Sequence, residues 1–125
     1  MTASGDDRLD VSHVRAVIHV DDADIGRQRL ASGNVLNLLD DTAVASADIE
    51  IVFNGAAIWA LTRQSALTAE LARLQARGVA LLACNDSMRT AGVTVDQLIP
   101  NVTVVPSGIS HLVGRQHEQW AYIRP

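Results

Sequence analysis

Two hydrophobic periodicities alternate along the chain. Short apolar runs occur at Val14–Val20, Asp48–Phe53, Val79–Cys84, Asn101–Val105 and Trp120–Ile123, and each predicts a strand. Between them the apolar positions fall at helical spacing. Residues 25, 30, 35, 36, 38 and 39 predict a helix from Ile25 to about Val44. Leu67, Leu71 and Leu74, spaced i, i+4, i+7, predict a second over Arg63–Arg77, with Arg73 and Arg77 near its negative end and Gly78 as its stop. Ile109, Leu112, Val113 and Gln116 mark a third, to about Glu118. Shorter helical pieces are predicted at Ala56–Leu61, Met88–Gly92 and Val95–Ile99, the last ended by Pro100. Asn54-Gly55 can form a hairpin turn, but helical patterning follows it, so it reads as a strand-to-helix loop. Strands alternating with helices require right-handed crossovers and a mostly parallel sheet, hence an α/β fold. The continuous apolar run Val79–Ala83 suits a strand covered on both faces of such a sheet.

Length and charge narrow the function. The chain has 125 residues, 48% of them apolar and 3% aromatic, which predicts one domain of helices packed closely on a sheet. Met1–His13 is polar and acidic and reads as a flexible tail, leaving residues 14–125 as the single domain. Net charge is −4 with no basic run, which argues against nucleic-acid partners. No apolar stretch reaches the roughly 18 residues of a membrane span, and Met1–Val11 lacks a signal-peptide core, so a cytoplasmic protein with no membrane partner is expected. A single cysteine excludes an intramolecular disulfide, a CxxC redox pair and a cysteine-based zinc site. No dinucleotide or Walker pattern is present, and no cofactor is expected. Asp21, Asp22 and Asp24 read as a solvated helix start rather than a metal site.

Candidate chemistry gathers where strands end, since ligands of open α/β sheets bind beyond the carboxyl ends of the strands. Those ends hold His19–Asp21, Asn54 and Gly55, Cys84 with Asn85, Asp86 and Ser87, and Ser107 with Gly108. Cys84 sits at a strand-to-helix junction, with Asn85, Asp86 and Ser87 all able to cap the helix. Two readings stand there. A thiol facing unpaired N–H groups and a helix dipole is held as the nucleophilic thiolate, whereas a buried free cysteine is usually inert. Asn34 and Asn37 share a helix face beside Gly33, either as hydrogen-bonding residues at the edge of the core or as part of a site. Trp59 packs internally or at a subunit contact. Three templates meet this edge. Cys–His hydrolysis would use His19, since His111 and His117 read as surface residues of the last helix. An anion-binding cysteine loop would use Arg89, five residues after Cys84, but no glycine intervenes and Asp86 would repel the anion. Thiol or sulfur transfer needs only the thiolate, a donor and an accepting thiol. It suits a lone cysteine without a neighbouring base.

The ordered set of segments resembles the DsrE-like family. The likeness is carried by Gly78–Met88 around the cysteine, Ala16–Val20, Asn34 and Asn37 with Leu38-Leu39, and Ile51–Gly55. Val104–Ile109, Arg115-Gln116 and Trp120–Pro125 are similar to its small single-domain branch, and the likeness runs from Val14 to Pro125. The resemblance implies a three-layer α/β/α sandwich with a mostly parallel five-stranded sheet. It implies homo-oligomers, trimers or hexamers, and sulfur relay through a persulfide on the cysteine at position 84. The expectation is therefore a sulfur carrier in which Cys84 accepts and passes on sulfur from donor to acceptor proteins. Asn85, Asp86 and Ser87 supply the helix start; Asn54, Gly55, Ser107 and Gly108 wall the pocket; His19, Asn34 and Asn37 lie behind. The alternative is a non-catalytic homo-oligomeric module that binds a small ligand or a protein.

Overall fold

Alternate residues of each strand face opposite ways, and two unequal cores follow from that. The structure, a computed structural model, describes residues 12–125. Five strands form: β1 (His13–Val20), β2 (Ser46–Phe53), β3 (Ala80–Cys84), β4 (Thr103–Val105) and β5 (Ala121–Ile123). They pair in the order β4-β3-β2-β1-β5, all parallel. The helices are α1 (Ile25–Asp40), α2 (Thr68–Ala76), α3 (Asn85–Ala91) and α4 (Gly108–His117), with 3-10 turns at Gly55–Leu61 and Val95–Gln97. Ala16, Ile18, Ile49, Ile51, Phe53, Leu81 and Ala83 face one side of the sheet. They pack there with Val35 of α1, Leu71 and Leu74 of α2, Met88 of α3 and Ile58 and Leu61 of the 3-10 turn. Val17, Val52 and Leu82 face the other side and meet only Leu112 of α4, with Val105 and Trp120 at the margin. The result is a three-layer α/β/α sandwich with one thick cover and one thin one. Among the described residues no helix is long and apolar enough to cross a membrane.

The boundaries differ from the periodicity where polar side chains intervene. His13 belongs to β1 and not to a tail, since its ring bonds Ser46 Oγ at 2.6 Å and Asp48 Oδ2 at 3.1 Å on β2; Met1–Val11 lies outside the described residues. Helix α1 ends at Asp40, four residues short of Val44, because the Asp41 carboxylate accepts the N–H of Ala43 at 2.8 Å and closes a turn. Helix α2 begins at Thr68, not Arg63. Thr62 instead pairs with Leu98, and the Arg63 N–H donates to the Gln97 carbonyl at 2.9 Å. Asp24 caps α1 by accepting the Arg27 N–H at 2.9 Å. Asp22 in turn accepts the Asp24 N–H at 2.7 Å, and Asp21 pairs with Arg124 at 3.1 Å.

Candidate functional site

Strand β3 runs straight into α3, and the residue at the junction is Cys84. It is the N-cap of α3, with extended backbone, so the helix starts three residues earlier than the apolar pattern indicates. Gly92 closes α3 in the left-handed conformation (φ 73°), which glycine adopts without strain. Cys84 is 5% exposed and makes no full capping bond of its own. Donors surround its sulfur instead. The Ser87 hydroxyl accepts the Gly55 N–H at 2.7 Å, which leaves its own proton for the sulfur. The backbone N–H groups of Gly108, Ser87 and Asp86 face the same atom. Burial pushes the thiol pKa up, but the Ser87 hydroxyl and these N–H groups outweigh it, and the pKa lies below the ordinary thiol value.

The start of α4 comes down onto the same spot. Ser107 caps α4 by accepting the Ser110 N–H at 3.2 Å, and Gly108 opens the helix. A β-carbon on Gly108 would lie 3.2 Å from the Cys84 Cβ, 3.2 Å from Val52 Cγ1 and 3.4 Å from the Asn54 Cβ. Only glycine lets this helix approach so closely. Two helix N-termini therefore converge on one sulfur, and their dipoles favour negative charge there.

Asn54 and Gly55 follow β2 on the same edge. Gly55 adopts a positive φ of 55°, and its N–H reaches Ser87. The Asn54 Oδ1 lies 2.8 Å from His19 Nε2, and His19 Nδ1 lies 2.6 Å from the Tyr122 hydroxyl. A carbonyl oxygen only accepts, so Nε2–H of His19 donates to it, and Nδ1 is paired with the Tyr122 hydroxyl. His19 is 7% exposed with both ring nitrogens engaged. Neither ring nitrogen pairs with the Cys84 sulfur, so the two do not form the Cys–His pair that hydrolysis would use.

Beside Ser87 a groove of about 370 Å³ opens between the 3-10 turn and α3, walled by Gly55, Ala56, Trp59, Asp86, Ser87, Thr90 and Ala91. Cys84 stands behind Ser87 and lines neither this groove nor the two others described here. Trp59 is 51% exposed and separates this groove from a second, of about 320 Å³, so it does not pack internally. A third cavity, of about 400 Å³, lies over His19, Asp21, Asp22, Arg27 and Arg124, its charges paired as Arg124–Asp21 and Arg27–Asp22. Asp86 pairs with Arg89 on the surface of α3, and Asn85 is half-buried at the helix start.

His19, Asn54, Gly55, Cys84, Asn85, Asp86, Ser87, Ser107 and Gly108 thus share the carboxyl edge of the sheet. Asn34 and Asn37 do not join them. Both are exposed on the later turns of α1, which has by then run back along the sheet away from that edge. The reading that placed them behind the pocket fails, because their shared helix face points to solvent. Tyr122 and Trp59 border the site without a local sequence signal for it. Tyr122 is 103 residues from His19, and only the placement of β5 beside β1 joins them.

Solved structures share this fold. A protein of unknown function from Methanobacterium thermoautotrophicum, MTH1491, superposes with a TM-score of 0.86 at 39% identity, covering 90% of this chain and 99% of that one. A conserved protein of unknown function from Bacteroides thetaiotaomicron, BT1422, gives 0.71 at 18% identity over 89% and 94% of the two chains. The ychN protein from E. coli gives 0.70 at 17% identity over 90% and 99%. The last two share the fold. A comparison with curated proteins returns no match. The model of the DsrE/DsrF-like family matches residues 16–125, and the chain belongs to that family.

Proposed function

We propose that this protein is a sulfur carrier in which Cys84 accepts and passes on a sulfane sulfur. The observation that carries the reading is a thiol whose pKa is lowered where the starts of α3 and α4 converge. The chemistry balances without a cofactor. The Cys84 thiolate attacks the outer sulfur of a donor persulfide. The donor S–S bond breaks, the donor leaves as a thiolate with the electron pair, and a new S–S bond forms on Cys84. The persulfide proton passes to the departing thiolate. An acceptor thiolate then attacks the outer sulfur and regenerates the Cys84 thiolate. A thiol that must stay reduced between turnovers suits the cytoplasm.

The thin α4 cover leaves Ile109, Val113 and Tyr122 exposed on its side of the sheet, and this face supports assembly of identical chains as a trimer or hexamer. Light scattering measures it, and a monomeric mass removes the assembly from the proposal.

Incubation with a small persulfide followed by intact-mass measurement tests the carrier. The wild-type protein gains one sulfur atom, and Cys84→Ser gains none. A second reading, a non-catalytic homo-oligomeric module, is favoured by the burial of Cys84 at 5% exposure. Wild-type protein that takes up no sulfur decides for the module.

A further inference from the structure

Far from the cysteine, at the amino ends of the strands, a serine, a histidine and an aspartate meet on one face of the sheet. His13 and Ser46 are direct partners in the register of β1 and β2, and Asp48 follows Ser46 by two residues, so all three share a face. It is the face that α4 covers, since Val17 and Val52 lie on it along the same two strands. Helix α4 ends at His117, and the Arg15 guanidinium donates to the Glu118 carbonyl at 3.0 Å just past that end. His13, Ser46 and Asp48 lie at the strand starts and all three are exposed. The Ser12 carbonyl accepts the N–H groups of Ala45 and Ser46 at 3.0 Å each, which pins the two strand starts together.

The bonds within the group have a direction. A carboxylate oxygen only accepts, so His13 Nε2–H donates to Asp48 Oδ2 at 3.1 Å whatever the charge on the ring. The other nitrogen, Nδ1, stands 2.6 Å from Ser46 Oγ. Whenever the ring is neutral, that nitrogen carries the lone pair and the Ser46 hydroxyl donates to it. Hydroxyl, imidazole and orienting carboxylate in this order make an acyl-transfer triad, a constellation defined by geometry and not by chain position. Arg15, opposite Asp48 in the register, adds a positive charge to the same strip.

We propose that Ser46 is a nucleophile for acyl transfer from small activated esters, with His13 as its general base and Asp48 as the residue that positions the ring. Ser46 Oγ attacks the ester carbonyl while its proton passes to His13 Nδ1. The bond to the leaving oxygen then breaks, and that oxygen takes the electron pair and the proton. Acyl-Ser46 remains. Water, giving a proton to the same nitrogen, releases the acid and restores the hydroxyl. The strip is an open surface, so the reaction calls for an ester with a good leaving group.

Acetylation by p-nitrophenyl acetate, mapped to Ser46 by peptide mass, tests the triad. The chain contains no lysine, which removes the commonest competing acceptor. Wild-type protein gains an acetyl group on Ser46. His13→Gln gains it roughly a hundredfold more slowly, the lower end of what a positioned base contributes. Asp48→Asn is also slower, since its amide can donate to Nε2 and turn the ring proton toward the serine. Asp48→Glu regains most of the rate, because a carboxylate on the open face again accepts from Nε2–H. The three residues are exposed, and equal unfolding temperatures show that the variants stay folded. Wild-type protein without acetyl-Ser46 overturns the proposal. So does a His13→Gln rate within about tenfold of the wild type, and so does Asp48→Glu no faster than Asp48→Asn.

Discussion

Ser87 does two jobs with one hydroxyl. It accepts the Gly55 N–H at 2.7 Å, which ties the β2 loop to α3, and its proton faces the Cys84 sulfur. The thiolate gains from that proton and the thiol does not, so the hydroxyl works against the upward push of burial. Ser87→Ala therefore raises the Cys84 pKa, because a hydrogen bond to the charged form is lost. Alkylation rates with an uncharged reagent across pH measure this, and superimposable wild-type and Ser87→Ala profiles would remove Ser87 from the thiolate's support. Cys84 was legible in the sequence as the residue at a strand-to-helix junction. Its role as the cap itself was not, since three better capping residues follow it.

Helix starts carry the element-scale contrast. Asp24 caps α1 and Ser107 caps α4, each through one side-chain oxygen on a backbone N–H. Removing either cap costs about 1 kcal/mol. Their consequences differ because α4, unlike α1, begins against the sulfur. Asp24→Ala lowers the urea midpoint and leaves the alkylation profile of Cys84 where it was. Ser107→Ala lowers the midpoint by a similar amount and raises the apparent thiol pKa, as the first turn of α4 loosens and the Gly108 N–H drifts from the sulfur. Equal thiol profiles for the two variants would mean that α4 does not support the thiolate. The alternation of strands and helices was legible throughout, but several element ends were not. Asp41 stops α1 through a side-chain bond, and Thr62 leaves the helical register to pair with Leu98. Local hydrophobic spacing carries neither interaction.

At the scale of the molecule, the thin layer is held by charge as much as by apolar contact. Glu50, buried on β2, accepts from Arg115 Nε at 2.9 Å and Nη2 at 2.6 Å and lies 2.7 Å from His111 Nε2, so one carboxylate fastens α4 at two turns. Arg115 also lies over the Trp120 ring at 4.3 Å. Burial pushes the Glu50 pKa up, but the hydrogen bonds and charges of Arg115 and His111 outweigh it and hold the pKa below its ordinary value of 4.5. A depressed folded-state pKa contributes stability above the unfolded-state pKa and loses it as pH falls through the folded one. Glu50→Gln is accordingly less stable than wild type at neutral pH, and it loses less stability on acidification below about pH 4.5. Urea unfolding at a series of pH values checks this. Parallel pH curves for the two proteins would show that the carboxylate charge does not fasten α4.

The order of strand and helix, the parallel sheet and the edge that gathers His19, Asn54, Cys84 and Ser107 were all determined by the sequence. Each follows from local periodicity and from the rule that parallel strands joined by helices present their carboxyl ends together. Tertiary structure alone decided what those residues touch. The strand order set β5 beside β1, which brought Tyr122 to His19 across 103 positions. The packing of α4 carried Gly108 to Cys84 and Arg115 to Glu50, while Asn34 and Asn37, equally polar and equally well spaced, were turned to solvent. Side-chain periodicity says which face a residue occupies, but the partner across that face is chosen only when the chain closes its long loops and the layers pack.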